Sequence, residues 1–147
     1  MYFSHNRGFT LIEILLSLAI ISVIVATGIP IFQSFQNRNE LDIATVTLAQ
    51  SLRRAQLLAQ ASDGDTSWGT HTQSGSITLF KGPNYVGRDS TFDEVFTIPT
   101  NIIASGTQEY VFSRFTGLPQ STGTLTFTSI NNETRTIITN AKGMVSY

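Results

Sequence analysis

The chain contains no cysteine, which excludes a disulfide framework, a thiolate metal site and a cysteine nucleophile. Charge is scarce as well: 13% of residues are Asp, Glu, Lys or Arg, and the formal net charge is -1. A polyanion-binding basic domain and an acidic disordered tail are both poor fits to that balance. Histidine occurs only at His5 and His71, and no set of nucleophile, base and orienting group can be assembled around either one. His71 lies in a Ser/Thr/Gly-rich stretch and is expected to be a surface loop residue. Gly82 and Gly87 flank an ordinary turn and do not form a phosphate-cradling loop. Asp63, Asp65 and Ser67 alternate as calcium ligands do, but the glycine falls at Gly69 instead of the sixth place, and the twelfth residue is Ser74 instead of Glu. The cluster is better explained as a helix stop. The expectation is a non-enzyme without cofactor or metal.

What the chain does have is one long apolar run. Residues 9–29 carry a single formal charge, Glu13. Twenty-one residues make roughly 31 Å of helix, which matches a hydrocarbon core of about 30 Å. An acid at a bilayer centre costs about 2.5–3.5 kcal/mol, and less near an end, so an acid kept in such a run calls for a use. Arg7 and His5 precede the run and favour a cytoplasmic N-terminus, although Arg38, Arg53 and Arg54 follow it. A competing reading is an ordinary secretory signal peptide cut near Ala26-Thr27-Gly28, releasing a soluble domain. Glu13 would interrupt the apolar region of such a signal.

Four zones follow one another: a leader at 1–8, a transmembrane helix at 9–29, an amphipathic helix at 30–61 and a β-rich head at 62–147. The expected fold class is α+β, with a long N-terminal helix packed on a small antiparallel β head. Span and amphipathic helix together would make a rod of roughly 80 Å. Gly28 and Pro30 interrupt it, either as a kink or as a helix boundary at the membrane surface. Leu41, Ala44, Leu48, Leu52, Ala55 and Ala59 recur at three- and four-residue steps and form one stripe, expected to face the head. Ile43, Val46 and Leu57 fall on the opposite side, either to meet neighbouring rods or as scattered surface residues.

The helix should stop at Ser62-Asp63-Gly64-Asp65. Expected strands are 76–81, 94–98, 109–115, 123–129, 134–139 and a short 144–147, with turns at 81–84 and 130–133. Thr124, Thr126 and Thr128 alternate with Leu125 and Phe127, so one sheet face should be wet. Pro99 and Pro119 should sit at strand ends or edges.

The segment Arg7-Gly8-Phe9-Thr10-Leu11-Ile12-Glu13, with the apolar run behind it, resembles the N-terminus of type IV pilins and type II secretion pseudopilins. The resemblance implies cleavage after Gly8 by a membrane prepilin peptidase and N-methylation of the new terminus, Phe9. It also implies that Glu13 neutralises a terminal amine, often an adjacent subunit's, when the span leaves inner-membrane lipid for a helical fibre of pilin subunits. Two buried charges then compensate each other, and a wrong register leaves one unpaired. The implied location is a single-pass cytoplasmic membrane protein, N-terminus inside and head outside, that later joins an extracytoplasmic fibre.

The head resembles the H-type minor pseudopilins and the T-type fimbrial minor pilins through Leu52-Arg53-Arg54-Ala55-Gln56, Trp68-Gly69, Leu79-Phe80-Lys81-Gly82, Val111-Phe112-Ser113, Thr116-Gly117-Leu118-Pro119 and Lys142-Gly143-Met144-Val145. An alternative role is a fibre-tip subunit that binds DNA or a secreted substrate, with Lys81, Tyr85 and Arg88 as a small basic-aromatic DNA patch. From Asp63 onward there are five Lys/Arg and seven Asp/Glu, a poor balance for phosphate neutralisation.

Overall fold

The computed structural model describes residues 8–147, with the side chains of 27–31 left aside. The chain divides into two compact units, Met1–Gln36 and Asn37–Tyr147. Helix α1 (Leu11–Gln60) supplies secondary structure to both. The leader expected at 1–8 lies outside the described residues except for Gly8. The features expected at Gly28 and Pro30 fall among the positions whose side chains are not described.

In the first unit α1 is apolar all round and exposed all round, from Leu11 at 77% to Val25 at 52%. A helix with no polar face has no preferred side to turn to water. Its serines do not disturb the ladder, because Ser17 Oγ donates to the Glu13 carbonyl at 2.7 Å and Ser22 Oγ to the Leu18 carbonyl at 2.7 Å. Hydroxyls bonded back onto their own helix suit an apolar surrounding. Among the described residues no helix is long and apolar enough to cross a membrane; the run expected to span includes 27–29, where side chains are not described.

In the second unit the helix meets two antiparallel sheets. The strands are β1 (Trp68–Gln73), β2 (Ser76–Lys81), β3 (Asp89–Thr97), β4 (Ile103–Gly106), β5 (Glu109–Phe112), β6 (Gly123–Thr128), β7 (Thr134–Thr139) and β8 (Val145–Ser146). One sheet has the order β3-β2-β1-β5 and the other β4-β6-β7-β8. The architecture is α+β. The six positions of the helix stripe are all fully buried, and they share one apolar cluster with Ile77, Leu79, Tyr110, Phe112, Leu125, Phe127 and Ile137. The outer face of β6 is wetter, as the alternating threonines required: Thr124 is exposed and Thr126 and Thr128 are half-buried.

α1 ends because Ser62 turns into the left-handed region, φ 53°. The Ala59 carbonyl, in the last turn where the regular helical partner is lost, accepts the amide of Ser62 at 3.1 Å and that of Phe115 at 3.0 Å. A 3-10 turn follows at Asp63–Asp65, where the stop was expected.

Several strands differ from expectation. β1 was read as loop, and it is a central strand. Its Trp-Gly-Thr-His-Thr-Gln sequence is chosen for space rather than propensity. A Cβ on Gly69 would lie 2.6 Å from both the Phe80 ring and the Tyr110 carbonyl oxygen, so only glycine fits between them. β4 is a four-residue edge strand that its Ile-Ala-Ser-Gly composition does not announce. β3 begins five residues earlier than expected, because Asp89 pairs with Lys81 beyond a register shift between Leu79 and Lys81. β5 stops at Phe112, since the following residues turn back to cap the helix and Phe115 takes φ 66°. β2 is buried on both faces: Thr78 and Phe80 are as covered as Ile77 and Leu79.

Candidate functional site

The tip of α1 is built by Thr10 and Glu13. Thr10 is the residue before the first helical position, and Glu13 is the third inside. The Thr10 amide and Oγ1 both donate to Glu13 Oε2, at 2.8 and 2.9 Å, and the Glu13 amide donates to Thr10 Oγ1 at 3.3 Å. This is a reciprocal capping box. The sequence signal for it is the Thr-x-x-Glu spacing, which the apolar character of the run masks. Helix position also favours an acid here, facing the positive end of the dipole. Both hydrogen bonds to the carboxylate from described residues fall on Oε2.

Phe9, Glu13, Ile14, Ser17, Leu18 and Ile21 line one open groove of about 320 Å³, so Phe9 and Glu13 share a face as their spacing required. Phe9 is 86% exposed. A side chain at Gly8 would meet nothing within 4 Å, so no contact within the described fold requires glycine there.

The residues expected to form a basic-aromatic patch are not presented as one surface. Lys81 leaves β2 with its ammonium 3.9 Å from the Phe92 ring centroid and close against Gly64. Arg88 instead packs on Tyr85, 3.8 Å from the ring centroid, and donates to Asp93 Oδ2 at 2.8 Å and to the Tyr85 carbonyl at 2.7 Å. Asp93 hydrogen bonding raises the Arg88 pKa still further, so that cation is neutralised inside the protein. Tyr85 stacks on His71 at 3.9 Å, with 16° between the planes. His71 is thus a strand residue with a half-buried side chain, which corrects the loop assignment. Burial pushes its pKa below the ordinary value; Glu109 opposes that shift and Arg88 adds to it.

Asp63 and Asp65 serve the helix stop. The Asp63 carbonyl accepts Trp68 Nε1 at 2.8 Å, and Asp65 pairs with Arg114 at 2.7 Å. Among the described residues no group of three His, Asp or Glu could hold a metal ion. Ile43, Val46 and Leu57 stand out from the second unit at 51%, 39% and 64% exposure.

Residues 3–29 match the model of the prokaryotic N-terminal methylation motif. None of the curated proteins matches the chain in sequence. Among solved structures, the fold is similar to that of the minor pseudopilin EpsH from the Type 2 Secretion System of Vibrio cholerae, at 12% identity and a TM-score of 0.56, over 73% of this chain and 94% of that one. The chain therefore carries a prokaryotic N-terminal methylation motif at its start and has a fold similar to that of a minor pseudopilin.

Proposed function

We propose that this pilin-like structural subunit is a minor component of a type IV pilus-like or type II secretion fibre. The observation that carries the reading is the methylation motif over 3–29, with its acid held at the helix tip beside Phe9. A prepilin peptidase cuts after Gly8. Glycine there serves the protease, which needs close approach to the scissile backbone, because no contact within the described fold requires it. Phe9 then carries the N-methylated amine. Residues 9–29 hold the subunit in the cytoplasmic membrane, N-terminus inside and head outside, until it enters the fibre.

In lipid, Glu13 is satisfied by Thr10. In the fibre, its carboxylate meets a neighbour's terminal amine, so that each buried charge has its partner only in the correct register. The exposed Ile43, Val46 and Leu57 extend the packing along α1. A role as a fibre-tip binder of DNA gains no support from the head, where Arg88 is already spent on Asp93.

The experiment is incorporation of Glu13→Ala into sheared fibres from cells that express the rest of the machine. The variant is expected to be processed normally and to be depleted from fibres about tenfold or more, the factor that loss of about 1.4 kcal/mol produces. Incorporation equal to the parent would remove the register role.

A further inference from the structure

The segment joining β2 to β3 is longer than a hairpin needs. Two residues suffice to turn antiparallel strands, and here 82–88 fold back over the outer face of β1 and β2. The face beneath is apolar: Phe80 is fully buried and meets Tyr85 edge-on, with ring centroids 5.7 Å apart. Val111, in register with Gly69 on that face, is 6% exposed. The segment is a strap with Tyr85 as its latch.

Tyr85 is layered between two nitrogen groups, the imidazole of His71 on one face and the guanidinium of Arg88 on the other. Its amide donates to Glu109 Oε1 at 3.1 Å. The other oxygen of the same acid, Oε2, lies 3.8 Å from His71 Nδ1. That Nδ1 is buried and has no hydrogen-bond partner. The charged groups around the imidazole are Glu109 from β5, Arg88 from the strap and, through Arg88, Asp93 from β3; Thr78, opposite on β2, carries no charge.

We propose that the strap is an acid-sensitive cover, latched by neutral His71 and released when that imidazole takes a proton from solvent. The proton adds at Nδ1. It creates a cation against a ring whose other face already holds Arg88. Burial lowers the imidazole pKa while the strap is closed, so the closed form binds the proton less tightly than the open form. Closure is therefore fully favoured above about pH 6.5, the ordinary histidine value, and weakens as pH falls below it. Opening uncovers Phe80 and Val111, an apolar floor hidden at neutral pH.

The test is amide hydrogen exchange of the full chain in detergent micelles at about pH 7.5 and 5.5, either side of the ordinary histidine value, corrected for intrinsic exchange. Strap amides are expected to open more often at the lower pH, because the open form binds the proton more tightly, with β6 and β7 amides unchanged. His71→Phe keeps the stack and should remove the pH dependence. Glu109→Gln removes the counter-ion and should shift strap opening in the acid range relative to the parent. Equal strap protection at both pH values, a His71→Phe protein that still opens in acid, or a Glu109→Gln protein with an unshifted profile would each overturn the proposal.

Discussion

Single residues in this chain are fixed by space and by charge partners more than by propensity. Gly69 is the clearest case. Its neighbours on either side, Phe80 and the Tyr110 backbone, leave no room for a methyl group, and the Tyr110 carbonyl belongs to a paired strand that cannot retreat. Gly69→Ala should destabilise the head by about 1–3 kcal/mol, the range for overpacking, read as a lower denaturation midpoint with an unchanged slope. A midpoint equal to the parent would mean that the sheet yields at no cost. Gly69 was noticed in the sequence only as half of a Trp-Gly pair. Nothing in a sequence shows which ring will lie over a glycine, so this constraint was not legible. Glu13 was legible because an acid inside an apolar run violates hydropathy. Its partner Thr10 is legible too, by the Thr-x-x-Glu spacing of a capping box.

At the scale of elements, periodicity read well wherever one face had a single role. The stripe from Leu41 to Ala59 repeats at helical spacing because one side of α1 must fill the core, and every member is fully buried. β2 and β7 were read to the residue for similar reasons of alternation and flanking turns. β1 escapes a sequence reading because Trp68 is its one large apolar residue: the other inner residues are Thr70 and Thr72 and the outer ones Gly69 and His71, so no apolar alternation marks it. β4 was missed because it is short and at an edge. The two faces of α1 give opposite predictions. Leu48→Ala removes a fully buried side chain and should cost about 2–5 kcal/mol, seen as a lower unfolding midpoint. Ile43→Asp with Val46→Asp changes exposed positions and should leave that midpoint within roughly 0.5 kcal/mol of the parent, while fibre incorporation falls. Normal incorporation of the double variant would assign those residues to ordinary surface and take α1's outer face out of assembly.

For the whole molecule, the fold class followed from composition shifts along the chain: long helical runs first, then a Thr/Ser/Gly-rich region of β-formers. The division of the head into two sheets did not, because strand order depends on which edges meet and no local pattern encodes that. A head of this size buries a modest fraction of its surface alone, and the helix stripe within the same apolar cluster makes α1 part of its core. The patch of Lys81, Tyr85 and Arg88 shows the opposite limit. Residue types that suit nucleic acid were close in sequence, yet folding turned Lys81 to Phe92 and Arg88 to Asp93. Charge counted along a chain is an upper bound on charge offered to a partner.

The account depends on the chain being matured at its N-terminus and kept attached to its apolar helix. Mass analysis of the N-terminus of the protein purified from cells containing a prepilin peptidase tests this most directly. The predicted result is a mature chain that begins at N-methylated Phe9 and retains Glu13. A chain beginning near Ile29 and released as a soluble head would contradict it.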